Sequence, residues 1–417
     1  MTRQFPSQGV RPGQNTRRAP APKGKAGRAP KKKSGGLFRR LSTAMAESGK
    51  LDSALVIIIL TLLTYGLIMI FSASYPTALD EGKSSLSYTL KQGGFALVGV
   101  AAMFLASLVD YHVYRRLVFP LYIASTILLI LVLIPGIGSK MGTFARRWIV
   151  LGPVNFQPSE VMKFAIIVMF AHLVSVHYKR MNTFRYGVLP FALCLGSTAV
   201  LMMMEPHTSG TVLIVGIGFI MMFVGGTKLR WFAAVGGAGV LGIAGIIMMG
   251  KLDYILSRLG SWLDPFAEEL YLNDGWQTAQ SLIAIGSGGI MGRGIGNSHQ
   301  KYYYVSEPHN DFIFSIICEE LGLVGALIVI LLFILFALRG FSIAAKAPDK
   351  FGYMLAVGLT AQICLQAVLN IAVVTNTIPN TGISLPFFSY GGTALLMQLG
   401  QMGILLNISR HSTVDKT

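Results

Sequence analysis

Residues 302–338 read YYYVSEPHNDFIFSIICEELGLVGALIVILLFILFAL, and the way this stretch is read decides what kind of protein the chain forms. From Asp311 onward it stays almost wholly apolar for longer than the roughly 20 residues, about 30 Å of helix, that cross a bilayer's hydrocarbon. Yet Glu307, Asp311, Glu319 and Glu320 lie within it or at its mouth. A carboxylate in lipid is costly, so each needs a partner, a cavity or a task. If 311–338 is one helix, Asp311, Ser315 and Glu319 fall within roughly 80° of one another, Glu319 lies roughly 12 Å below Asp311, and Glu320 points the opposite way.

The rest of the chain repeats the pattern. Of 417 residues, 53% are hydrophobic and 13% charged, and the mean hydropathy is +0.59. Ten apolar stretches approach spanning length: about 52–73, 91–109, 117–136, 160–178, 187–204, 211–226, 231–250, 311–338, 353–376 and 390–408. Because backbone polar groups in lipid must be paired within their own segment, the expected fold is all-α, a polytopic helical bundle of about ten transmembrane helices with a large loop between helices 7 and 8.

Charge placement gives the orientation. Residues 1–50 hold thirteen Lys or Arg and one acid, Glu47, and the turns YHVYRR, YKRMNTFR and TKLR are also basic. Loop 251–310 instead carries Asp253, Asp264, Glu268, Glu269, Asp274 and Glu307. The positive-inside rule then puts both termini in the cytoplasm and that loop outside. The domain reading is a disordered basic tail over 1–50, a transmembrane domain over 51–410 and a short cytoplasmic tail over 411–417. APAPKGKAGRAPKKKSGG lacks periodicity and the apolar surface to pack. Such a tail suits anionic lipid or a cytoplasmic partner better than nucleic acid, and no apolar core follows its early charges as in a signal peptide.

Cys194, Cys318 and Cys364 fall inside predicted helices, which indicates neither a disulfide framework nor a metal cluster. The seven histidines show no ligand spacing, so no metal site is assigned. GGAGVLGIAG, 236–245, reads as tight helix packing. GSGGIMGRGIG, 286–296, follows no strand and opens no βαβ unit, which argues against a dinucleotide fingerprint; a flexible turn or a backbone cradle for a phosphate are the two readings left open.

GTFARRWIVLGPVNFQPSEVMKFAIIVMF, 142–170, is the second polar block near membrane depth. Arg146, Arg147 and Trp148 precede Gln157, Ser159, Glu160 and Lys163, which open the fourth span. Glu160 and Lys163 share a helix face and can pair. One reading is an ion pair closing the helix top with Trp148 as a belt residue; the other is a cationic, hydrogen-bonding pocket for an anionic lipid head group. Asp311 has a similar pair of readings, a helix cap or a partly desolvated base with a raised pKa.

RRWIVLGPVNFQPSEVMKFA, WQTAQSLIAIGSGGIMGRGIGNSHQKYYYVSEPHNDFIFSIICEELGLVGA and ISLPFFSYGGTALL, in that order, resemble the signature blocks of the SEDS family of shape, elongation, division and sporulation glycosyltransferases, over roughly 50–410. The ISLPFFSYGGT block and the basic tail favour its division branch. The resemblance implies a multi-pass protein of the bacterial cytoplasmic membrane that polymerises lipid II, undecaprenyl-pyrophosphate-linked disaccharide-pentapeptide, into glycan strands on the outer face during septal wall synthesis. It implies Asp311, in the H-x-D-F block, as general base, and Gln157, Ser159, Glu160 and Lys163 as cavity lining. Arg147 and Lys163 are then the cations for the leaving pyrophosphate, Trp148 borders the substrate site, and Ser315 and Glu319 line the cavity beneath the base. The partners implied are lipid II, a class B penicillin-binding protein transpeptidase and other divisome proteins, with no nucleic acid. No cofactor is required by the motifs; a divalent cation, Mg or Mn, is compatible with the chemistry, but the sequence names no ligands for it.

Where the family commonly has Q/E-P-D-x-G-T, this chain has EPHTSGT, with His207 in place of the acid, so no role for that acid transfers. The rival functions are a lipid II flippase and a scaffold for the transpeptidase. A transporter is expected to show inverted repeats and helices broken at the midplane; no convincing repeat is found, and the densest polar blocks lie at one face.

Overall fold

The computed structural model describes residues 49, 51–139, 146–152, 154–234, 260, 262–267 and 275–412. The tail, the predicted seventh span over 231–250 apart from its first four residues, the GGAGVLGIAG motif, and Asp253, Glu268, Glu269 and Asp274 lie outside the described residues.

Ten principal helices are described: α1 Ser53–Asp80, α2 Ser87–Leu108, α3 Val118–Leu133, α4 Pro158–His177, α5 Leu189–Met204, α6 Thr208–Val224, α7 Trp276–Gly288, α8 Ile313–Ala345, α9 Lys350–Val374 and α10 Gly392–His411. Six helical stretches among the described residues are long and apolar enough to cross a membrane: α1, α2, α8, α9, and the stretches Pro158–Arg180 and Phe184–Met204 that contain α4 and α5. α3 and α6 are shorter apolar helices. The fold is the expected all-α polytopic bundle, with two additions: α7 lies within the segment 251–310 expected to be a loop, and a small sheet is present. Gly138–Ser139, Trp148–Leu151 and Val154–Phe156 form a small antiparallel sheet, β1-β2-β3, in the segment between α3 and α4. Its strands pair with one another through the register Ile149↔Phe156 and Gly138↔Ile149.

Caps set several helix starts. The Asp52 carboxylate accepts from Leu55 N at 2.9 Å to open α1, and the Asp349 carboxylate accepts from Phe351 N and Gly352 N at 2.8 and 2.9 Å to open α9. Pro158 stands in the first turn of α4, where its missing N–H costs nothing. α4 and α9 are the inner helices, with 72% and 67% of their most apolar windows buried against 22% for α2. They pack on each other, α8 packs on α1 and α9, and α10 runs along α2.

α8 differs from its expected form in two respects. It begins at Ile313, not Asp311, so Asp311 stands in the turn above the helix and a single descending stripe from it does not form. It is also interrupted at Gly322, which adopts φ 65°, ψ −161°. Loop 289–296 fills the break: Arg293 N and Gly294 N donate to the carbonyls of Glu319 and Glu320 at 3.0 and 2.9 Å, and Leu323 N donates to Gly289 O at 2.9 Å. A Cβ on Gly292 would lie 2.2 Å from Glu320 O, so the glycines permit backbone-to-backbone packing. The GSGGIMGRGIG run is thus a docked joint, and the N–H groups of Arg293 and Gly294 are engaged by the helix, not left to cradle a phosphate.

Candidate active site

The segment His309–Asn310–Asp311 is held by three successive backbone carbonyls. Tyr390 N donates to His309 O at 2.9 Å, Ser389 Oγ to Asn310 O at 2.7 Å, and Asn370 Nδ2 to Asp311 O at 2.7 Å. Asn370 also donates to Ile383 O at 2.6 Å, so α9 fastens the HND segment and the loop before α10 together. One turn away Gln366 donates to Ser384 O and Oγ at 2.9 and 3.1 Å.

The Asp311 carboxylate, in contrast, receives no hydrogen bond from any described residue. It faces Gly382, where φ is +60° and an added Cβ would come within 3.0 Å of Asp311 Oδ2. Its surroundings set its chemistry. Burial pushes its pKa up to about 6, the Glu307 carboxylate pushes the same way, and the Arg147 guanidinium opposes both. Glu307 is itself in a left-handed conformation, φ 53°, and accepts from Asn310 Nδ2 at 2.6 Å.

Arg147 joins this carboxylate to a second turn. Its Nη2 donates to Pro206 O, between α5 and α6, and its Nε is buried without a partner among the described residues. Beside it Glu205 is 1% and His207 8% exposed. Burial pushes the Glu205 carboxyl up to about 8 against the pull of Arg147. Burial, helped by Arg147 and Lys163, pushes His207 down to about 3. Both side chains are therefore neutral near pH 7, which leaves Asp311 as the ionised carboxylate that Arg147 faces.

Behind Arg147, Lys163 Nζ pairs with Glu160 Oε1 at 2.7 Å and approaches Gln366 Oε1 at 3.5 Å. All three are buried. Ser159 Oγ, Glu160 Oε2, Glu205 Oε1 and His207 Nδ1 have no partner among the described residues, an unusual density of open polar atoms for an apolar interior. Gln157 precedes α4 without capping it, and Trp148 lies on β2 opposite Ser139.

Two predicted site residues are placed elsewhere. Ser315 is fully buried and its Oγ donates to Phe312 O at 2.7 Å. Glu319 is fully buried and turned to the loop before α8, accepting from Ser298 Oγ, from His299 N at 2.9 Å and from Gln300 N at 3.2 Å. Neither is brought to the Asp311 cluster. Glu205, Gln366, Asn370 and Gly382 were missed as site residues; Gln362, Gln366 and Asn370, four apart along an apolar span, were the available signal for α9. Among the described residues there is no group of three or more His, Cys, Asp or Glu that could hold a metal ion.

The architecture and site define a polytopic helical membrane protein with a cation-bordered carboxylate at one mouth of the bundle. The chain belongs to the FtsW/RodA/SpoVE family, described as cell cycle protein, whose model matches residues 53–414. It is 41% identical over 361 residues to stage V sporulation protein E of Bacillus subtilis, covering 87% of this chain and 97% of that one. It is 36% identical over 370 residues to the probable peptidoglycan glycosyltransferase FtsW of Geobacter sulfurreducens, covering 88% and 98%. Among solved structures it resembles a chain from work on the structural coordination of polymerization and crosslinking by a peptidoglycan synthase complex, with TM-score 0.70, 26% identity, and 88% and 99% coverage. It also resembles the rod shape determining protein RodA of Thermus thermophilus, with TM-score 0.63, 25% identity, and 88% and 98% coverage. Sporulation and division relatives match at similar levels, so the comparisons leave the division branch unresolved.

Proposed function

We propose that this chain is a peptidoglycan glycosyltransferase that polymerises lipid II at the outer face of the cytoplasmic membrane, serving septal wall synthesis with a class B penicillin-binding protein as partner. The observation that carries the reading is the Asp311 carboxylate: its segment is fixed at the carbonyls of His309, Asn310 and Asp311 while its oxygens accept no hydrogen bond from any described residue and lie in the field of Arg147. A relative named as a probable peptidoglycan glycosyltransferase and a fold neighbour from a peptidoglycan synthase complex support it. The basic turns and tail support cytoplasmic termini.

In this mechanism Asp311 accepts the proton of the acceptor GlcNAc 4-hydroxyl as that oxygen attacks the anomeric carbon of the donor MurNAc. The bond to undecaprenyl pyrophosphate breaks and the pyrophosphate departs with the electron pair. One displacement converts the α-linked donor to a β-1,4 linkage and needs one base, not a carboxylate pair. Arg147 stabilises the charge developing on the leaving group. Lys163, held by Glu160, adds positive potential, and Gln157, Ser159 and Trp148 are assigned to substrate contact by the family resemblance.

The test is lipid II polymerisation by the purified chain with its cognate transpeptidase, comparing wild type with Asp311→Asn. The reading predicts glycan strands from wild type and none from the variant at unchanged partner binding. Equal rates would overturn the base assignment, and transport of lipid II without polymerisation would favour a flippase.

A further inference from the structure

A second polar feature lies on the outer shoulder of α8 and shares no residue with the Asp311 cluster. Its depth can be read from the structure. Arg339 Nε pairs with Asp52 Oδ2 at 2.8 Å, marking one membrane face. Twenty residues separate Asp52, the cap of α1, from Ser72 along that helix, about 30 Å at 1.5 Å per residue, the thickness of the hydrocarbon. α8 meets the same layer at Glu320, because Ser72 Oγ donates to Glu320 Oε1 and Oε2 at 2.6 and 2.7 Å. That layer is the far boundary between hydrocarbon and head groups, in the leaflet that Asp311 faces.

Loop 289–301 is fastened to this layer through the Gly322 break, through Glu319, and through Lys301, which pairs with Glu320 at 2.9 Å. It exposes Ile290, Met291 and Ile295, at 66%, 78% and 57%, at a level where such side chains enter acyl chains without cost. Tyr302, Tyr303 and Tyr304, each about half exposed, follow where an aromatic belt belongs. Between the apolar rim and the tyrosines runs an open groove of about 410 Å³ lined by Arg293, Gly296, Asn297, Ser298, His299 and Tyr302.

The groove's cation retains donors. Arg293 Nη1 is 3.6 Å from Glu319 Oε1, beyond hydrogen-bond length, and the Glu319 oxygens are already engaged by Ser298, His299 N and Gln300 N. Arg293 Nε donates to Ser287 O at 3.3 Å, and its side chain is 37% exposed. A guanidinium fork at head-group depth, above exposed apolar side chains, matches a phosphate carried on a lipid tail.

We propose that the groove of Arg293, Asn297, His299 and Tyr302 is a binding site for an anionic lipid phosphate in this leaflet. The site is independent of the reaction assigned to Asp311. Its source is either a glycerophospholipid or a polyprenyl carrier, and the two are separated by experiment. Full-length protein purified in detergent is titrated with phosphatidylglycerol, with C55 polyprenyl phosphate, or with diacylglycerol, and bound lipid is counted by native mass spectrometry. All proteins carry Arg147→Gln to weaken phosphate binding at the candidate active site, and the part of the binding that depends on Arg293 is what is read. With Arg293 intact, one or both phosphate lipids bind about tenfold better than diacylglycerol, and Arg293→Gln removes that preference. Preference for phosphatidylglycerol alone identifies a phospholipid site, preference for the polyprenyl phosphate alone a carrier site. Melting temperature controls for folding. Should Arg293→Gln melt early, His299→Ala, whose side chain is exposed, carries the test and is expected to lower the preference severalfold. Unchanged binding in folded variants, or binding no better than diacylglycerol, overturns the proposal.

Discussion

Asp311 and the Glu319–Glu320 pair sit eight and nine residues apart in one stretch, yet the fold treats their carboxylates in opposite ways. At Asp311 the backbone is fixed and the carboxylate is left without hydrogen bonds from the described residues. At Glu319 and Glu320 hydrogen bonds from Ser72, Ser298, His299 N, Gln300 N and Lys301 engage the carboxylates, the backbone carbonyls are tied to loop 289–294, and both side chains are fully buried. Saturated carboxylates serve as anchors; an unsaturated one on a rigid support is available for chemistry. The difference lies in partners brought from distant parts of the chain, α1, α9 and the loop before α10.

The largest effect that would break this comparison is at the anchor. Lys301→Ala leaves Glu320 buried with Ser72 as its remaining partner, and is expected to cost about 3–5 kcal/mol, read as a fall in melting temperature. A variant melting like wild type would show that the Lys301–Glu320 pair is not an anchor. At the other region the effect should fall on rate. Arg147→Gln is expected to lower polymerisation about 100-fold at nearly unchanged melting temperature, since the described contact of its side chain is one bond to Pro206 O. A rate within twofold of wild type would remove Arg147 from the leaving-group role.

Asn370→Ala tests the support beneath the base. It deletes the donors to Asp311 O and Ile383 O, at an expected cost of about 1–3 kcal/mol, with a fall in rate that exceeds any change in substrate affinity. Loss of affinity alone would place Asn370 in binding. The smallest effect is Glu307→Gln. Removing a charge that raises the Asp311 pKa should move the acidic limb of the rate profile to lower pH by a fraction of a unit, whereas a shift to higher pH would reverse the assigned sign.

Much of this was legible in the sequence. Apolar stretches of spanning length correspond to nine of the ten principal helices, α7 lying in the segment read as a loop, and the spacing of Glu160 and Lys163 gave their pair at 2.7 Å. Asp311 was identified from its position at the mouth of an apolar span and from the resemblance of its H-x-D-F block. The role of Glu319 was not legible, because it depends on Ser298, His299 and Gln300, which a helical projection cannot place. The break at Gly322 was hidden for a similar reason: a glycine in an apolar helix is ordinary until another backbone approaches it. The small sheet was not expected because its longest strand has four residues, too few for an alternating pattern to stand out, in a segment read for its polar groups and its resemblance.

The account's central claim is that Asp311 is an ionisable base poised by burial. Its raised pKa fixes the sign in two ways. The base form predominates above about 6, so the rate rises with pH through that value. The same shift makes ionisation unfavourable to the fold, so its stabilising contribution is full below the ordinary carboxylate range and declines as pH rises through about 6. Asp311→Asn should thus be at least as stable as wild type at neutral pH. The most direct measurement is the pH dependence of lipid II polymerisation between about pH 5 and 8 at lipid II concentrations well below KM, where the rate reports the ionisation of the free enzyme. The account predicts a rate that climbs with a midpoint near 6 and then levels, and a flat profile across that range would contradict it.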